Sequence, residues 1–150
     1  MVRLAGQPRE KIKSRADKRP KLGFEKQEYP LVRFERDGFH GVLAEPIVVF
    51  LNGLRVEVPV GFATDWATVP RIFWRVIPPW GKYLRASVVH DFLYRSGLLP
   101  KAEADMFFYL LMLSDGARPW RALLLYRGVK WFGGGVWKRY RKLEEEANSS

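Results

Sequence analysis

The chain has 150 residues, of which 47% are hydrophobic and 15% aromatic, and it contains no cysteine. A chain of this length can bury about 70% of the surface that it exposes when unfolded, so it is long enough for one domain with its own core. The lack of cysteine excludes disulfides, thiolate zinc sites, iron–sulfur clusters and a cysteine nucleophile. With only two histidines, a histidine-rich metal site is excluded as well.

The net charge of +10 lies in the two ends of the chain. Residues 1–28 carry nine lysines and arginines and four acids, residues 118–150 carry eight and three, and residues 29–117 carry nine and nine. This pattern predicts a basic flexible arm at residues 1–28, a single globular domain at residues 29–135, and a charged C-terminal tail at residues 136–150. No apolar run predicts a signal peptide or a membrane span, so we expect synthesis in the cytoplasm.

Short β-type runs dominate residues 31–60. The clearest are Ile47–Leu51 and Leu54–Val58, which are separated by Asn52-Gly53. Asn-Gly between two apolar runs is a strong hairpin signal, because both turn residues must tolerate positive φ. We therefore expect a small antiparallel sheet here.

Helical patterns follow at residues 83–95, 100–114 and 119–132. The first is stopped by Ser96-Gly97, the second begins with a proline at a permitted position, and the third is stopped by the glycines at 133–135. Residues 136–147 are compatible with a short exposed helix. The predicted fold class is α+β, with a small antiparallel sheet or hairpin followed by a helical hairpin and a third helix, and basic extensions at both termini.

The first predicted helix carries the residues best suited to chemistry. His90 and Tyr94 lie four residues apart and so share one face, whereas Asp91 is turned away by about 100°. The short link between the first two helices makes them antiparallel neighbours, which allows Asp105 to reach the level of His90 or Tyr94. A carboxylate on one ring nitrogen would leave the other free to accept a proton from water, as in a hydrolytic general base.

Two acids are candidates for holding a divalent cation. Asp91 faces away from His90, and its carboxylate suits a hard ion such as Ca²⁺. Asp65 either caps the turn that begins near Val69 or joins Asp91 as a further ligand or orienting carboxylate, and spacing alone leaves both open. A non-catalytic alternative also stays open, in which His90 and its neighbours form a buried polar network that holds the helices together.

The basic end of the chain is rich in aromatic residues. Its cations and rings suit an anionic lipid surface or the phosphates and bases of nucleic acid. We expect the apolar side chains of the third helix to be core residues, with only the cations facing water. These apolar residues are Trp120, Leu123, Leu124 and Trp131.

The stretch from Gly61 to Phe108 resembles the core of the domain of unknown function numbered 1353, a family carried mostly by tailed bacteriophages and prophages. The resemblance covers about residues 31–132. The matching residues are Gly61, Phe62, Thr64, Asp65, Ala67, Val69, Pro70, Pro78, Pro79, Gly81, His90, Asp91, Leu93, Tyr94, Ala104 and Asp105, with Thr68 where the family pattern has serine. The resemblance implies a tailed-phage or prophage protein and supplies no activity.

The His-Asp helix pair is also similar to the active-site helices of the phospholipase A2 superfamily, particularly its cysteine-free parvoviral capsid branch. This similarity implies that His90 is the general base, that Asp91 binds calcium, and that Asp105 and Tyr94 orient His90. The chain departs from that superfamily before the helix, because its glycine-rich calcium loop is replaced by a segment with the single glycine Gly81.

Together these patterns lead to two expectations of function. The first is a phage protein, made in the host cytoplasm and carried with the virion or its tail, with a phospholipase-like hydrolytic site. The second is a non-enzymatic structural or assembly protein in which the same residues form a polar network. In either case the basic termini would bind phage structural proteins, anionic lipid or nucleic acid.

Overall fold

The computed structural model describes residues 22–24, 32–37, 40–66, 68–75, 77 and 81–149. Within this part of the chain, small antiparallel sheets precede a set of helices, which confirms the predicted α+β class. The strands are β1 (Leu22–Phe24), β2 (Val32–Phe34), β3 (Gly41–Leu43), β4 (Ile47–Leu51), β5 (Leu54–Val58) and β6 (Ala63–Thr64). The helices are α1 (Leu84–Ser96), α2 (Lys101–Ser114), α3 (Pro119–Phe132) and α4 (Gly134–Ser149), and 3₁₀ turns cover Arg71–Arg75 and Gly81–Tyr83.

The β4–β5 hairpin has the bounds that the sequence predicted. Asn52 and Gly53 form its turn with φ values of 52° and 81°, so that Leu51 pairs with Leu54. Both values lie in the left-handed region that a tight two-residue hairpin turn requires. The hairpin is extended by β1, which pairs antiparallel with β4 and gives the order β1-β4-β5.

Part of the predicted N-terminal arm forms strand β1. Residues 22–24 belong to the segment predicted to be flexible, yet their backbone pairs with residues 49–51 of β4. The free edge of β4 offers unpaired N–H and C=O groups, and a short strand satisfies them whatever the charge of the neighbouring sequence. The predicted arm therefore includes a strand, and the rest of residues 1–28 lies outside the described part of the chain.

The second sheet has the order β2-β3-β6 and carries the motif that contains Thr64 and Asp65 to the core. Its central strand begins at Gly41, which is directly opposite Thr64. A Cβ atom at Gly41 would lie 2.7 Å from a methyl of Val32 and 3.3 Å from the ring of Trp66. Glycine is thus required here because the neighbouring side chains fill its space.

The predicted helix boundaries agree closely with the structure around α1 and α2. Helix α1 ends at Ser96 and is capped by Gly97, whose φ of 62° is left-handed and whose N–H donates to the carbonyl of Leu93. Pro100 precedes α2 as its N-cap residue. Because only residues 97–100 join the two helices, they pack against each other as an antiparallel pair.

The sequence predicted that the glycines at 133–135 stop the third helix, but two of them belong to the next helix. Helix α3 does end at Phe132, but Gly134 and Gly135 are the first residues of α4. Only Gly133 separates the helices, and a Cβ there would lie 2.6 Å from the Tyr94 hydroxyl. The chain therefore turns at a residue that has no room for a side chain.

Helix α4 packs on the domain through the first part of the predicted C-terminal tail. Val136, Trp137 and Tyr140 lie half-buried against the core. Arg141 donates from Nη2 to the carbonyl oxygens of Tyr94 at 2.7 Å and of Arg95 at 2.9 Å. These are carbonyls of the last turn of α1, which has no intrahelical partners for them, so Arg141 caps α1 and ties α4 to it.

The third helix differs from the prediction in which residues it buries. Its buried side is formed by Ala122, Leu125 and Val129. Trp120, Leu123, Leu124 and Trp131, which were expected in the core, are 54%, 36%, 38% and 67% exposed. The expectation was wrong because α3 packs mainly on α2 and α4, and it does so through this other side of the helix. No helix among the described residues is long and apolar enough to cross a membrane.

Candidate functional site

The antiparallel pair α1 and α2 brings His90, Tyr94 and Asp105 together in the core. Oδ1 of Asp105 lies 2.8 Å from Nε2 of His90 and 2.7 Å from the Tyr94 hydroxyl. The rings of His90 and Tyr94 contact each other at a tilt of 46°, with centroids 4.3 Å apart, in keeping with their spacing of four residues on one helix face. The reach of Asp105 across the helix pair, which the sequence predicted for either partner, extends to both.

Lys101 completes this cluster and was not predicted. Its Nζ donates to Oδ2 of Asp105 at 2.7 Å and to the carbonyls of Val129 and Lys130 at 3.1 Å and 3.2 Å. Lys101 thus pairs with an acid four residues away on α2 and caps the last turn of α3. The spacing of four residues between Lys101 and Asp105 could have indicated their ion pair. The contact of Lys101 with α3 depends on tertiary packing.

The charges of this cluster follow from its burial and its hydrogen bonds. Burial lowers the pKa of His90, against the raising influence of Asp105. Burial would raise the pKa of Asp105, but hydrogen bonds from His90, Lys101 and Tyr94 outweigh it and hold that pKa below its usual value. Asp105 is therefore the ionised acceptor, His90 is neutral, and the proton of the neutral ring lies on Nε2. Burial and the bond to Asp105 also raise the pKa of Tyr94.

The second ring nitrogen of His90 is the unusual atom of the site. His90 is fully buried, and its Nδ1 has no hydrogen-bond partner. Buried polar atoms are paired in the great majority of cases, so an unpaired acceptor that is held in a fixed tautomer needs an explanation. Oδ1 of Asp91, the next residue, is a second buried atom without a partner.

Asp91 lies on another side of α1 and has its own partners. Its Oδ2 accepts a hydrogen bond from the Thr64 hydroxyl at 2.6 Å, and Nη2 of Arg95 lies 3.4 Å away. Burial raises the pKa of Asp91 to about 6, although Arg95 and Thr64 act in the opposite direction. Thr64 matches a family motif, but its bond to Asp91 was not predicted, because Thr64 and Asp91 are 27 positions apart in the sequence.

Asp65 reaches the same region through Arg95 and not through a shared cation site. The guanidinium of Arg95 lies 3.7 Å from Asp65, 3.4 Å from Asp91 and 2.5 Å from the carbonyl of Ala63. Arg95 thus holds a positive charge between the two carboxylates. Arg95 was not predicted to have this role, although its spacing of four residues from Asp91 could have indicated the ion pair.

These contacts do not fit the calcium site that the sequence suggested. Calcium takes six to eight oxygen ligands. In the described part of the chain no group of three or more His, Asp or Glu side chains is placed to hold a metal ion. Of the two predicted ligands, Asp91 accepts from Thr64 and both face the guanidinium of Arg95. The described residues therefore provide a protein cation, Arg95, where calcium was expected.

Comparison with known proteins identifies relatives without a described activity. The family model for "Protein of unknown function (DUF1353)" matches residues 42–129. The chain is similar to uncharacterized protein y4jT of Sinorhizobium fredii (strain NBRC 101917 / NGR234), with 36% identity over 84 residues, 55% of this chain and 25% of y4jT. It is also similar to uncharacterized protein y4iH of the same strain, with 32% identity over 108 residues, 70% of this chain and 45% of y4iH.

The matched region contains every residue whose side chain forms part of the site described above. Thr64, His90 and Asp105 lie within residues 42–129, whereas all of α4 lies beyond them. The chain spans less than half the length of either relative. No solved structure matches the chain. Because the family model covers more than half of its residues, the protein belongs to the family of unknown function DUF1353.

Proposed function

We propose that this protein is a hydrolase in which His90 is the general base. The observation that carries the proposal is the arrangement of the imidazole, since Asp105 holds Nε2 while the buried Nδ1 has no partner. A neutral ring with a fixed tautomer presents the Nδ1 lone pair as a proton acceptor. Lys101 and Tyr94 keep Asp105 ionised, so that Asp105 can stabilise the imidazolium that forms when His90 takes a proton.

The reaction class that we propose is hydrolysis of a carboxylic ester, with the acyl ester of a phospholipid as substrate. Nδ1 of His90 takes a proton from water while the water oxygen attacks the carbonyl carbon. When the tetrahedral intermediate collapses, the same proton passes to the leaving alkoxide, which yields a fatty acid and a lysophospholipid. The choice of substrate rests on the similarity of the His-Asp helix pair to phospholipase A2, and no step uses calcium.

The burial of the dyad sets a condition on this proposal. His90 is 0% and Asp105 2% exposed, so bulk solvent does not reach them. Catalysis therefore requires that a segment packed on α1 moves when substrate binds, as in enzymes whose lids open on substrate. Arg141 and Trp137 of α4 contact the Tyr94 end of α1, and α4 is the segment that we propose moves.

Ester hydrolysis by the full chain tests the proposal directly. Fatty-acid release is measured from vesicles of mixed phosphatidylglycerol and phosphatidylcholine, with calcium and with chelator. The test variant is His90→Gln, and the matched control is His40→Gln at the chain's other histidine, which is exposed and pairs with Asp37. Release that is lost in the first variant and kept in the second supports the dyad. Release that survives His90→Gln, or no release by the unmodified chain, contradicts it.

A structural role is the second candidate, and a specific observation favours it. Asp105 accepts from three donors, and Lys101 adds bonds to α3, so that one buried carboxylate connects three helices. Such a network stabilises the helix arrangement without any catalysis. In that case His90→Gln lowers the melting temperature and no substrate is turned over, whereas a catalytic His90 leaves the variant folded but inactive.

We propose further that the protein works as a tailed-phage or prophage protein, made in the host cytoplasm and carried with the virion. This rests on the resemblance of its Thr-Asp, His-Asp and Ala-Asp motifs to a family found mostly in such genomes. Mass spectrometry of purified particles, compared with the lysate from which they come, tests it. A protein that is enriched with the major virion proteins supports the proposal, and one that stays in the lysate contradicts the virion association.

A further inference from the structure

The outer side of α3 exposes an apolar stripe that the core does not use. Trp120, Leu123, Leu124 and Trp131 are 54%, 36%, 38% and 67% exposed. At 100° per residue, these four positions fall within an arc of about 100° on the helix, and Arg127 lies inside the same arc. We call these five residues the α3 face. Single exposed apolar residues are ordinary, but two tryptophans and two leucines on one helix face are a contiguous patch.

The stretch of chain that contains the α3 face carries charge of one sign. Residues 116–143 contain eight lysines and arginines and no acid. Arg127 and Lys130 are exposed on α3, and the neighbouring α4 exposes further cations. These α4 cations are Lys138, Arg139 and Lys142. An apolar helix face with tryptophans, with exposed cations beside it on α3 and α4, is the pattern of a helix that lies at the boundary between lipid headgroups and acyl chains.

We propose that the α3 face docks on the surface of an anionic lipid bilayer. The tryptophans and leucines enter the headgroup boundary, while Arg127 and Lys130 contact anionic headgroups. Charge argues against a second copy of the chain as the occupant, because it would bring two cationic surfaces together. Nucleic acid would use the cations, but it would leave Leu123 and Leu124 without apolar partners. This inference goes beyond the proposed hydrolase and does not depend on it.

Flotation of the full chain with vesicles tests the proposal. One set contains about half phosphatidylglycerol in phosphatidylcholine, and the other contains phosphatidylcholine alone. The test variant is the double substitution Trp120→Gln with Trp131→Gln. The control is Val60→Gln with Ile72→Gln, which removes two apolar side chains that are 60% and 77% exposed elsewhere. All four positions are exposed, so the melting temperature should change little in either variant.

The expected result is binding to the anionic vesicles that weakens at high salt and falls by about tenfold or more in the tryptophan variant. The control variant should bind like the unmodified chain. Vesicle binding by the unmodified chain is measured separately from fatty-acid release, so failure of the proposed hydrolysis leaves this result intact. Binding that the tryptophan variant retains, or no binding to anionic vesicles, overturns the proposal. So does loss in that variant of DNA binding or of self-association, with vesicle binding unchanged.

Discussion

Nε2 of His90 lies 2.8 Å from Oδ1 of Asp105, and this bond joins the middle of α1 to the second turn of α2 inside the core. A buried carboxylate of this kind is stable only when donors surround it. Asp105 has three, since Tyr94 and Lys101 also bond it. The same bond thus contributes to the fold and prepares His90 as a base, which is why a test of activity must be accompanied by a test of stability.

Replacing the central carboxylate should destabilise the protein strongly. Asp105→Ala leaves three buried or half-buried donors without their acceptor, and we expect the free energy of unfolding to fall by about 3 kcal/mol or more. Urea unfolding measures the change. Glu103→Ala, at an exposed acid two residues earlier in α2, is the matched control and should change stability by less than about 0.5 kcal/mol. Similar losses in both variants would contradict the central place of Asp105.

The raised pKa of Asp91 predicts a pH dependence of a definite sign. With a folded-state pKa of about 6, against a lower value in the unfolded chain, the folded state binds the additional proton. The contribution of Asp91 to stability therefore increases as pH falls through 6 and decreases as pH rises. The groups facing the carboxylate are Thr64, Arg95 and Asp65.

Asp91→Asn isolates this contribution from the other titrating groups. His90, with its lowered pKa, makes the whole protein less stable below the ordinary histidine pKa, so wild type alone is not informative. The stability of wild type relative to Asp91→Asn should rise by about 1 kcal/mol between about pH 7 and about pH 5. Unfolding curves at each pH measure it. A difference that stays constant or falls over this range would contradict the raised pKa.

Calcium should leave the thermal stability unchanged. A ligand that binds only the folded state raises the melting temperature with its concentration. We expect no change with calcium because Arg95 lies within 4 Å of both Asp65 and Asp91, and no group of three or more His, Asp or Glu side chains among the described residues is placed to hold a metal ion. Melting curves with millimolar calcium and with chelator should superimpose. A clear rise with calcium, lost in Asp91→Asn, would show that Arg95 gives way to the metal.

Removing Arg141 should loosen α4 without unfolding the core. Its Nη2 bonds two carbonyls at the end of α1, and its guanidinium lies 4.7 Å from the centre of the Trp137 ring. We expect Arg141→Met to lower stability by about 1 to 2 kcal/mol and to speed amide hydrogen exchange in α4. Arg139→Met, at an exposed arginine of the same helix, is the control. Unchanged exchange in α4 would mean that Trp137 and Tyr140 hold it alone.

Gly97 offers an independent test of the same contact. A Cβ at Gly97 would collide with the guanidinium of Arg141, and its φ of 62° disfavours any other residue. Gly97→Ala should therefore cost about 1 kcal/mol for the backbone and further stability for displacing Arg141. The double variant with Arg141→Met should lose less than the sum of the two single losses. Strict additivity, measured by urea unfolding, would show that the two residues act separately.

The features that could be predicted from the sequence are those that depend on local backbone preferences. Asn52-Gly53 set the β4–β5 hairpin, because its turn needs two residues that tolerate positive φ. Gly97 and Pro100 set the boundary between α1 and α2, and that short link was enough to bring Asp105 to His90 and Tyr94. Residues on adjacent turns, or across a link of a few residues, have little freedom to be elsewhere.

The contacts that join distant segments could not be predicted in this way, because they depend on how whole elements pack. Thr64 and Asp91, or Lys101 and the end of α3, meet because whole elements pack, and nothing in the local spacing predicts such a contact. The same reason explains the wrong expectation for α3. An apolar helix face becomes core only where another element covers it, and here the covered side is the one with Ala122 and Val129, which leaves Trp120 and Trp131 exposed.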